Sequence, residues 1–360
     1  MDMFDWRSGT EADARAPRQD PALFLTVLAL LVCLLLALLG AITLSLALKM
    51  QLARNITPIP GAFAGLHHRP ARVTTGTAAR AVNILVMGTD RRSTVATTGS
   101  DARAREWVMG AQRSDTIMVV HIDGNRRGAS VISIPRDSWV DVPGHGRAKI
   151  NAAFSYAGPS LAVSTVERLT GLRIDHLAVV DWAGFSALTD ALGGVEVDVP
   201  GTVYDSSHKV TWTAGRHRLD GAAALDYVRM RYGLPGGDFD RIRRQQYFLH
   251  QLLHTILRES LWAHPVRSYH LLDALTAHLS VDAGWSRSDM TELLASMRGL
   301  HSGDVNYLTV PVRGTGYVGD QSVVWLDDAD NRSLWRAVRS DRVERWLRAH
   351  PGSTLHGHVA

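Results

Sequence analysis

From residue 81 onward the chain alternates short, continuous apolar runs with stretches whose apolar residues recur at helical spacing. Val82–Gly88, Asp115–Ile122 and Ala129–Pro135 have strand length and end at glycine, proline or charge, the pattern of strands buried on both faces. Further strands are predicted at Ile174–Val180, Val195–Val199, 305–310 and 322–326. Helical patterns cover Ser160–Thr170, Trp182–Leu192, 221–226 behind an Asp220 N-cap, 238–259, 265–279, 286–299 and 330–349. On the longest of these, Ile242, Leu249, Leu253 and Ile256 form one stripe. Strands interleaved with helices predict an α/β protein, an α/β/α sandwich around a central mixed sheet.

A different pattern precedes this region. Ala22–Leu48 is a run of 27 residues without a charge, where about 20 apolar residues suffice to cross a bilayer. A cleaved signal peptide has a shorter apolar region, roughly 7–15 residues, behind a basic start. Here Asp2, Asp5, Glu11, Asp13 and Asp20 precede the run beside Arg7, Arg15 and Arg18. An uncleaved transmembrane helix at 22–48 is therefore expected, following a cytoplasmic tail at 1–21. The flanking charges give only a weak positive-inside bias. Residues 49–80, rich in Pro, Gly and Thr without a sustained period, read as a stalk. A single domain at 81–350 and a tail at 351–360 complete the layout. Ser93–Gln112 reads as a loop between the first two strands. The one cysteine, Cys33, excludes an intramolecular disulfide.

Charge adds more through placement than through amount. The formal net charge is +4, and of 39 Lys and Arg only Lys49, Lys149 and Lys209 are lysines. A GC-rich genome explains scattered arginines, so their clustering is what carries information. Five segments concentrate charge at element ends: 88–92 (GTDRR), 113–116 (RSDT), 135–137 (PRD), 229–231 (RMR) and 238–246 (DFDRIRRQQ). Ligands of open α/β sheets bind outside the strand ends, where several of these segments fall. Arg229 and Arg231 share a side if extended. Arg241, Arg244 and Gln245 stand at i, i+3 and i+4 near a helix N-terminus, which favours an anion. Asp90 and Asp115 are the residue type a hard cation such as Mg²⁺ takes. Arginines, two aspartates and a metal suit phosphoryl transfer, which needs positioning and charge stabilisation. Segment by segment, structural readings remain: an Arg136–Asp137 ion pair, a solvated face at 241–244, a strand cap at Asp115.

The ordered set resembles the LytR-CpsA-Psr family of cell-wall glycopolymer ligases. The matching stretches are NILVMGTDRR (83–92), RSDTIM (113–118), SIPRDS (133–138), KINAAF (149–154), DALGGVEVDV (190–199), LDGAAALDYVRMR (219–231) and DFDRIRRQQ (238–246). The resemblance covers roughly residues 80–325. It implies a Mg²⁺-assisted phosphotransferase that moves a glycopolymer from a polyprenyl-pyrophosphate carrier to a peptidoglycan hydroxyl, with the domain extracytoplasmic on a single-pass membrane anchor. Asp90 and Asp115 match the metal aspartates. Arg92, Arg136, Arg229, Arg231, Arg241 and Gln245 match the residues that hold the pyrophosphate, with Arg244 on the same helical face. Arg92, Arg136 and Asp137 are the catalytic candidates, Asp137 as base. Arg91 falls off the pattern, and the long segment 93–112 is the departure from it. Phe185, Leu188, Phe248, Leu252 and Ile256 are candidates to line a polyprenyl tunnel, and each also reads as ordinary core. Rival readings are a polyprenyl-pyrophosphate pyrophosphatase, a non-catalytic membrane regulator and a wall-binding module. No helix-turn-helix segment supports a nucleic-acid partner.

Overall fold

The computed structural model describes residues 56–91, 112–230, 238–258, 273–274 and 276–354. The tail 1–21, the span 22–48, Arg92, Arg231, the loop 93–111 and residues 265–272 and 275 of the helix expected at 265–279 lie outside the described residues. Among the described residues no helix is long and apolar enough to cross a membrane.

The strands, in chain order, are β1 (Thr57–Ile59), β2 (Val82–Arg91), β3 (Gln112–Ile122), β4 (Ala129–Ser133), β5 (Trp139–Val142), β6 (Gly146–Lys149), β7 (His176–Asp181), β8 (Val195–Val199), β9 (Val203–Asp205), β10 (Val210–Trp212), β11 (Gly215–Leu219), β12 (Leu279–Asp282), β13 (Val305–Thr309), β14 (Val312–Val318) and β15 (Gln321–Leu326). The helices that place the site are α1 (Ile150–Thr170), α2 (Trp182–Ala191), α3 (Gly221–Arg229), α4 (Asp238–Arg258), α5 (Arg287–Ser296), α6 (Asp328–Arg339) and α7 (Val343–Ala349).

Seven strands form a mixed sheet in the order β1-β12-β7-β2-β3-β4-β13. β2 pairs parallel with β7 and antiparallel with β3, while β4 pairs antiparallel with β3 and parallel with β13. The C-terminal ends of β2, β4 and β7 therefore share one edge with the start of β3. Alternation along the strands sorts the apolar residues onto two faces. Leu85, Met87, Ile117, Val119, Ile132 and Leu177 pack with α1 and α6 through Phe154, Val163, Val166 and Leu334. Val86, Met118, Val120, Val131 and Tyr307 face Leu249 and Leu253 of α4. Ile84, Ala178 and Val281 pack against Met290 and Leu293 of α5 and Met297 just after it. This is the predicted α/β/α sandwich with its mixed sheet.

Three expectations need correction. The segment read as a stalk joins the domain from residue 56. β1 pairs with β12 at the sheet edge, and Ile59 and Ala62 are buried in the core. Arg69 clamps the buried Glu167 through Nε at 3.0 Å and Nη2 at 2.6 Å, and Nη2 also donates to the Ile174 carbonyl at 2.5 Å. A few apolar residues and one two-pronged ion pair attach the segment without any periodicity to announce it. The helix expected at 160–170 is present, but it is preceded by a first helical stretch from Ile150 that was not expected, the two parted by a break at Ala157 and Gly158 just before Pro159. The helix expected at 330–349 is two, parted where Asp341 adopts φ 56°.

Candidate functional site

Four elements deliver charged side chains to the shared edge. The β2–β3 ladder slips between Gly88, which pairs with Thr116, and Thr89, which pairs with Ser114, so Asp115 is a bulged extra residue. Asp90 is the Cα partner of Arg113, two residues before Asp115. Only the backbone of Asp90 and Arg113 is described. The Asp115 carboxylate accepts from Arg136 Nη1, which arrives from the segment after β4. Both side chains are about one-sixth exposed, 16% for Asp115 and 15% for Arg136. Asp137 lies beyond, with its carboxylate 3.6 Å from Arg136 Nε and 3.1 Å from Lys149 Nζ. A carboxylate placed between two cations suits the task of holding both in position, and the sequence reading of Asp137 as a base has to compete with that.

α3 and α4 close the site from the other side of the sheet edge. Thr116 Oγ1 donates to Gln245 Oε1 at 3.5 Å, and Gln245 Nε2 donates to the Val228 carbonyl at 3.4 Å. One glutamine thus joins β3, α4 and the end of α3. Arg229 stacks its guanidinium on the Trp182 ring, 4.6 Å from the centroid. Trp182 opens α2 immediately after β7, and β7 pairs with β2 up to Thr89 and Asp181.

The motif residues of α3 have a packing reason. Asp220 caps the helix by accepting from the Ala223 amide at 2.9 Å, as expected, and the Gly221 amide donates to Asp190 at 2.7 Å. A Cβ on Gly221 would sit 2.4 Å from the Ser186 carbonyl oxygen, so only glycine lets α3 approach α2 this closely.

The face expected to unite Arg241, Arg244 and Gln245 is divided. Arg244 is 3% exposed and lies between α3 and α4. Its Nη1 donates to Met230 Sδ at 2.9 Å and its guanidinium lies over the Tyr227 ring at 4.9 Å. Burial pulls its pKa down, against the charges of Tyr227, Asp240 and Asp205. Arg241 is buried as well. Phe185, Leu188, Phe248, Leu252 and Ile256 sit in the cluster formed with α3, β8 and β11, whereas the residues of α4 turned to the sheet are Leu249 and Leu253.

Asp115, Arg136, Asp137 and Gln245 are thus brought together, and Arg229 reaches the same edge through Trp182. Lys149, Thr116 and Trp182 were not singled out by sequence. Lys149 could have been, being one of three lysines in an arginine-rich chain and standing inside the KINAAF stretch.

The sheet edge thus carries Arg136 and Lys149 beside Asp115 and Asp137, with Arg229 on the adjoining Trp182. Residues 64–340 match the LytR_cpsA_psr family, and the chain belongs to it. Among its relatives is a probable cell wall biosynthesis protein, LcpB, of Corynebacterium glutamicum, 36% identical over 258 residues, covering 71% of this chain and 61% of the relative. Another is the polyisoprenyl-teichoic acid–peptidoglycan teichoic acid transferase TagU of Enterococcus faecalis, 31% identical over 66% of this chain and 72% of that protein. Among solved structures, a LytR-Csp2A-Psr enzyme from Actinomyces oris superposes with a TM-score of 0.57 at 26% identity, over 76% of this chain and 96% of the other.

Proposed function

We propose that this protein is a membrane-anchored phosphotransferase that joins a glycopolymer to the cell wall. The observation that carries the reading is the contact of Asp115 and Arg136 at the bulged end of β3, beside Gln245. Family membership and the names of the TagU and LcpB relatives support the wall-polymer chemistry. The donor is a polyprenyl-pyrophosphoryl glycan and the acceptor a peptidoglycan hydroxyl. The hydroxyl oxygen attacks the sugar-proximal phosphorus and gives up its proton to solvent, the bridging P–O bond breaks, and polyprenyl phosphate leaves with that electron pair. Arg136 and Arg229, with Arg92 and Arg231 beyond the described residues, neutralise the two phosphates and the leaving group. Gln245 orients a phosphate oxygen from α4. The partly exposed apolar side chains Val86, Val120, Leu249 and Leu253 between sheet and α4 offer the prenyl chain a surface.

Asp115 and Asp90 would hold Mg²⁺, which when bound supplies further neutralisation of the pyrophosphate. The fit rests on Asp115, whose carboxylate stands at the edge with an arginine for partner, and on the ladder register that brings Asp90 near. The span 22–48 would anchor the chain with residues 56–354 outside the cell.

The test is transfer in vitro from a polyprenyl-pyrophosphoryl glycan to a peptidoglycan fragment, with and without acceptor. Phosphodiester product that requires acceptor supports the reading, whereas equal phosphate release without acceptor would make the protein a pyrophosphatase. Arg136→Lys keeps the charge but loses the planar fork. It should lower turnover about a hundredfold, the scale of one lost charge-stabilising donor. Arg91→Lys should change little.

A further inference from the structure

The far end of β3 carries a second cluster that the transfer chemistry does not use. His121 lies one residue from the strand end and is 1% exposed. Its Nδ1 is 2.7 Å from Asn83 Oδ1. Asn83 cannot be turned over freely, because its Nδ2 donates to the Arg173 carbonyl at 3.1 Å. Oδ1 therefore faces the ring, and Nδ1 must carry the proton. The other nitrogen, Nε2, points at two carboxylates, 3.2 Å from Asp341 Oδ1 and 3.8 Å from Asp123 Oδ1. A neutral ring would present a lone pair to two anions, which is repulsive unless a cation stands between them.

We propose that His121 Nε2, Asp123 and Asp341 form a site for one divalent transition-metal ion of the zinc type, joining the β3–β4 turn to the turn between α6 and α7. One ligand atom from each residue can be chosen so that all lie within 4.8 Å of one another. Metal–ligand bonds of about 2.0–2.2 Å at tetrahedral angles put ligand atoms roughly 3.3–3.6 Å apart. Two of the three edges, at 3.2 and 3.8 Å, bracket that length, and the third, between the carboxylates, is the one that must adjust to seat the ion. One imidazole with two carboxylates suits zinc and not Mg²⁺, which keeps to oxygen. A proton fixed on Nδ1 by a side-chain acceptor is the usual support of a metal-binding histidine.

The surroundings hold the carboxylates where the ion needs them. Asp341 adopts φ 56°, uncommon for any residue but glycine, and its carboxylate is 3% exposed. The Gly124 amide lies 3.3 Å from each of its oxygens. A Cβ on Gly128 would come 2.6 Å from Asp123 Oδ2, so glycine there leaves the carboxylate its room. Arg80 and Arg126 border the cluster but donate to the carbonyls of Gly124 and Asp123 at 3.3 and 3.0 Å. Asp123, 19% exposed, opens on solvent, where a water would complete four ligands.

The experiment loads the full-length chain, without a polyhistidine tag, with Zn²⁺ alone and dialyses it at about pH 7.5, because metal binding competes with protons and weakens in acid. Bound zinc and melting temperature are then measured. One equivalent should remain and raise the melting temperature. Asp115→Asn, at the other end of the strand, should retain it equally. His121→Gln and Asp341→Asn should lose it. Should either fail to fold, Asp123→Asn, at the most exposed of the three positions, should bind at least about tenfold more weakly. Absence of retained zinc in the wild type, or equal retention in all three variants, would overturn the site and leave His121, Asp123 and Asp341 as a structural cluster.

Discussion

Asp115→Asn keeps the shape of the side chain and removes its charge, so it separates a cation ligand from a mere counter-ion of Arg136. Removing one partner of a fully buried ion pair costs about 3–5 kcal/mol, and a single hydrogen bond to a charged group contributes about 1.5–3 kcal/mol. Asp115 and Arg136 are 16% and 15% exposed, and Arg136 keeps Asp137 at 3.6 Å. The lower range therefore applies, about 1.5–2.5 kcal/mol. For a domain of this size that is a fall of about 2–4 °C in melting temperature. Binding of a polyprenyl pyrophosphate should persist, because the arginine no longer has to leave Asp115 to meet a phosphate. Turnover should fall, and the Mg²⁺ concentration giving half-maximal rate should rise. Thermal unfolding, lipid binding and Mg²⁺-dependent turnover are measured on the same preparation. A variant that melts lower yet shows wild-type turnover and an unchanged Mg²⁺ response would refute the metal role and leave Asp115 as the partner of Arg136 alone.

Other expectations concern the frame around the site. Arg69→Ala leaves the carboxylate of Glu167, 4% exposed, with the Ile174 amide at 2.9 Å; the loss should be about 3 kcal/mol, read by denaturant melts. For the same reason a chain starting at residue 81 should be far less stable than one starting at 56, and equal stability would return the segment to the status of a linker. Gly221→Ala pushes a methyl into the backbone of α2, so about 1–3 kcal/mol of overpacking and a displaced Arg229 should reduce both stability and turnover. The His250 pKa is held below the ordinary histidine value, first by burial and then by the charge of His254. Its folded state prefers the neutral ring, so its contribution is complete above the unfolded pKa and fades as pH falls toward the folded value. Melts between about pH 7 and 5 should show a slope that His250→Gln reduces.

Much of this was legible in the sequence because it rests on local pattern. Val82–Gly88 and Ala129–Pro135 are continuous apolar runs, and β2 and β4 fall there; Asp220 announces its cap. What stayed hidden depends on partners far along the chain. β12 is short, Leu279–Asp282, and adjoins the expected helix 265–279, so helical spacing masked a strand that exists only through pairing with β1 and β7. The attachment of residues 56–80 depends on Glu167 from α1, which no local period reveals. On α4, spacing placed Arg241, Arg244 and Gln245 on one face, but a helix packed on two sides gives neighbouring positions different environments. Gln245 meets Thr116 of the sheet, while Arg244 meets Tyr227 and Met230 of α3.

The RSDT stretch shows how three adjacent side chains divide the labour of one irregular strand. In an unbroken ladder Asp115 would share the face of Ile117 and Val119, which is packed by α1. The bulge puts Ser114 opposite Thr89 instead, and both are buried. A bulge disrupts the ladder, and a buried backbone acceptor without a partner is costly. Ser114 answers this locally: its hydroxyl lies 2.8 Å from the Thr116 carbonyl and 3.4 Å from that of Gly88, the two residues flanking the slip. A serine can do so because it is small enough for the core and carries its own donor. With the backbone supplied, Asp115 is released from the ladder and meets Arg136. Thr116, back in register, reaches Gln245 on α4. The order of the three residues therefore follows from the order of the tasks: Ser114 repairs the strand, Asp115 carries the charge and Thr116 fixes the distance to the helix. An aspartate placed at the edge without the serine would carry the same charge into a strand whose carbonyls had lost their partner.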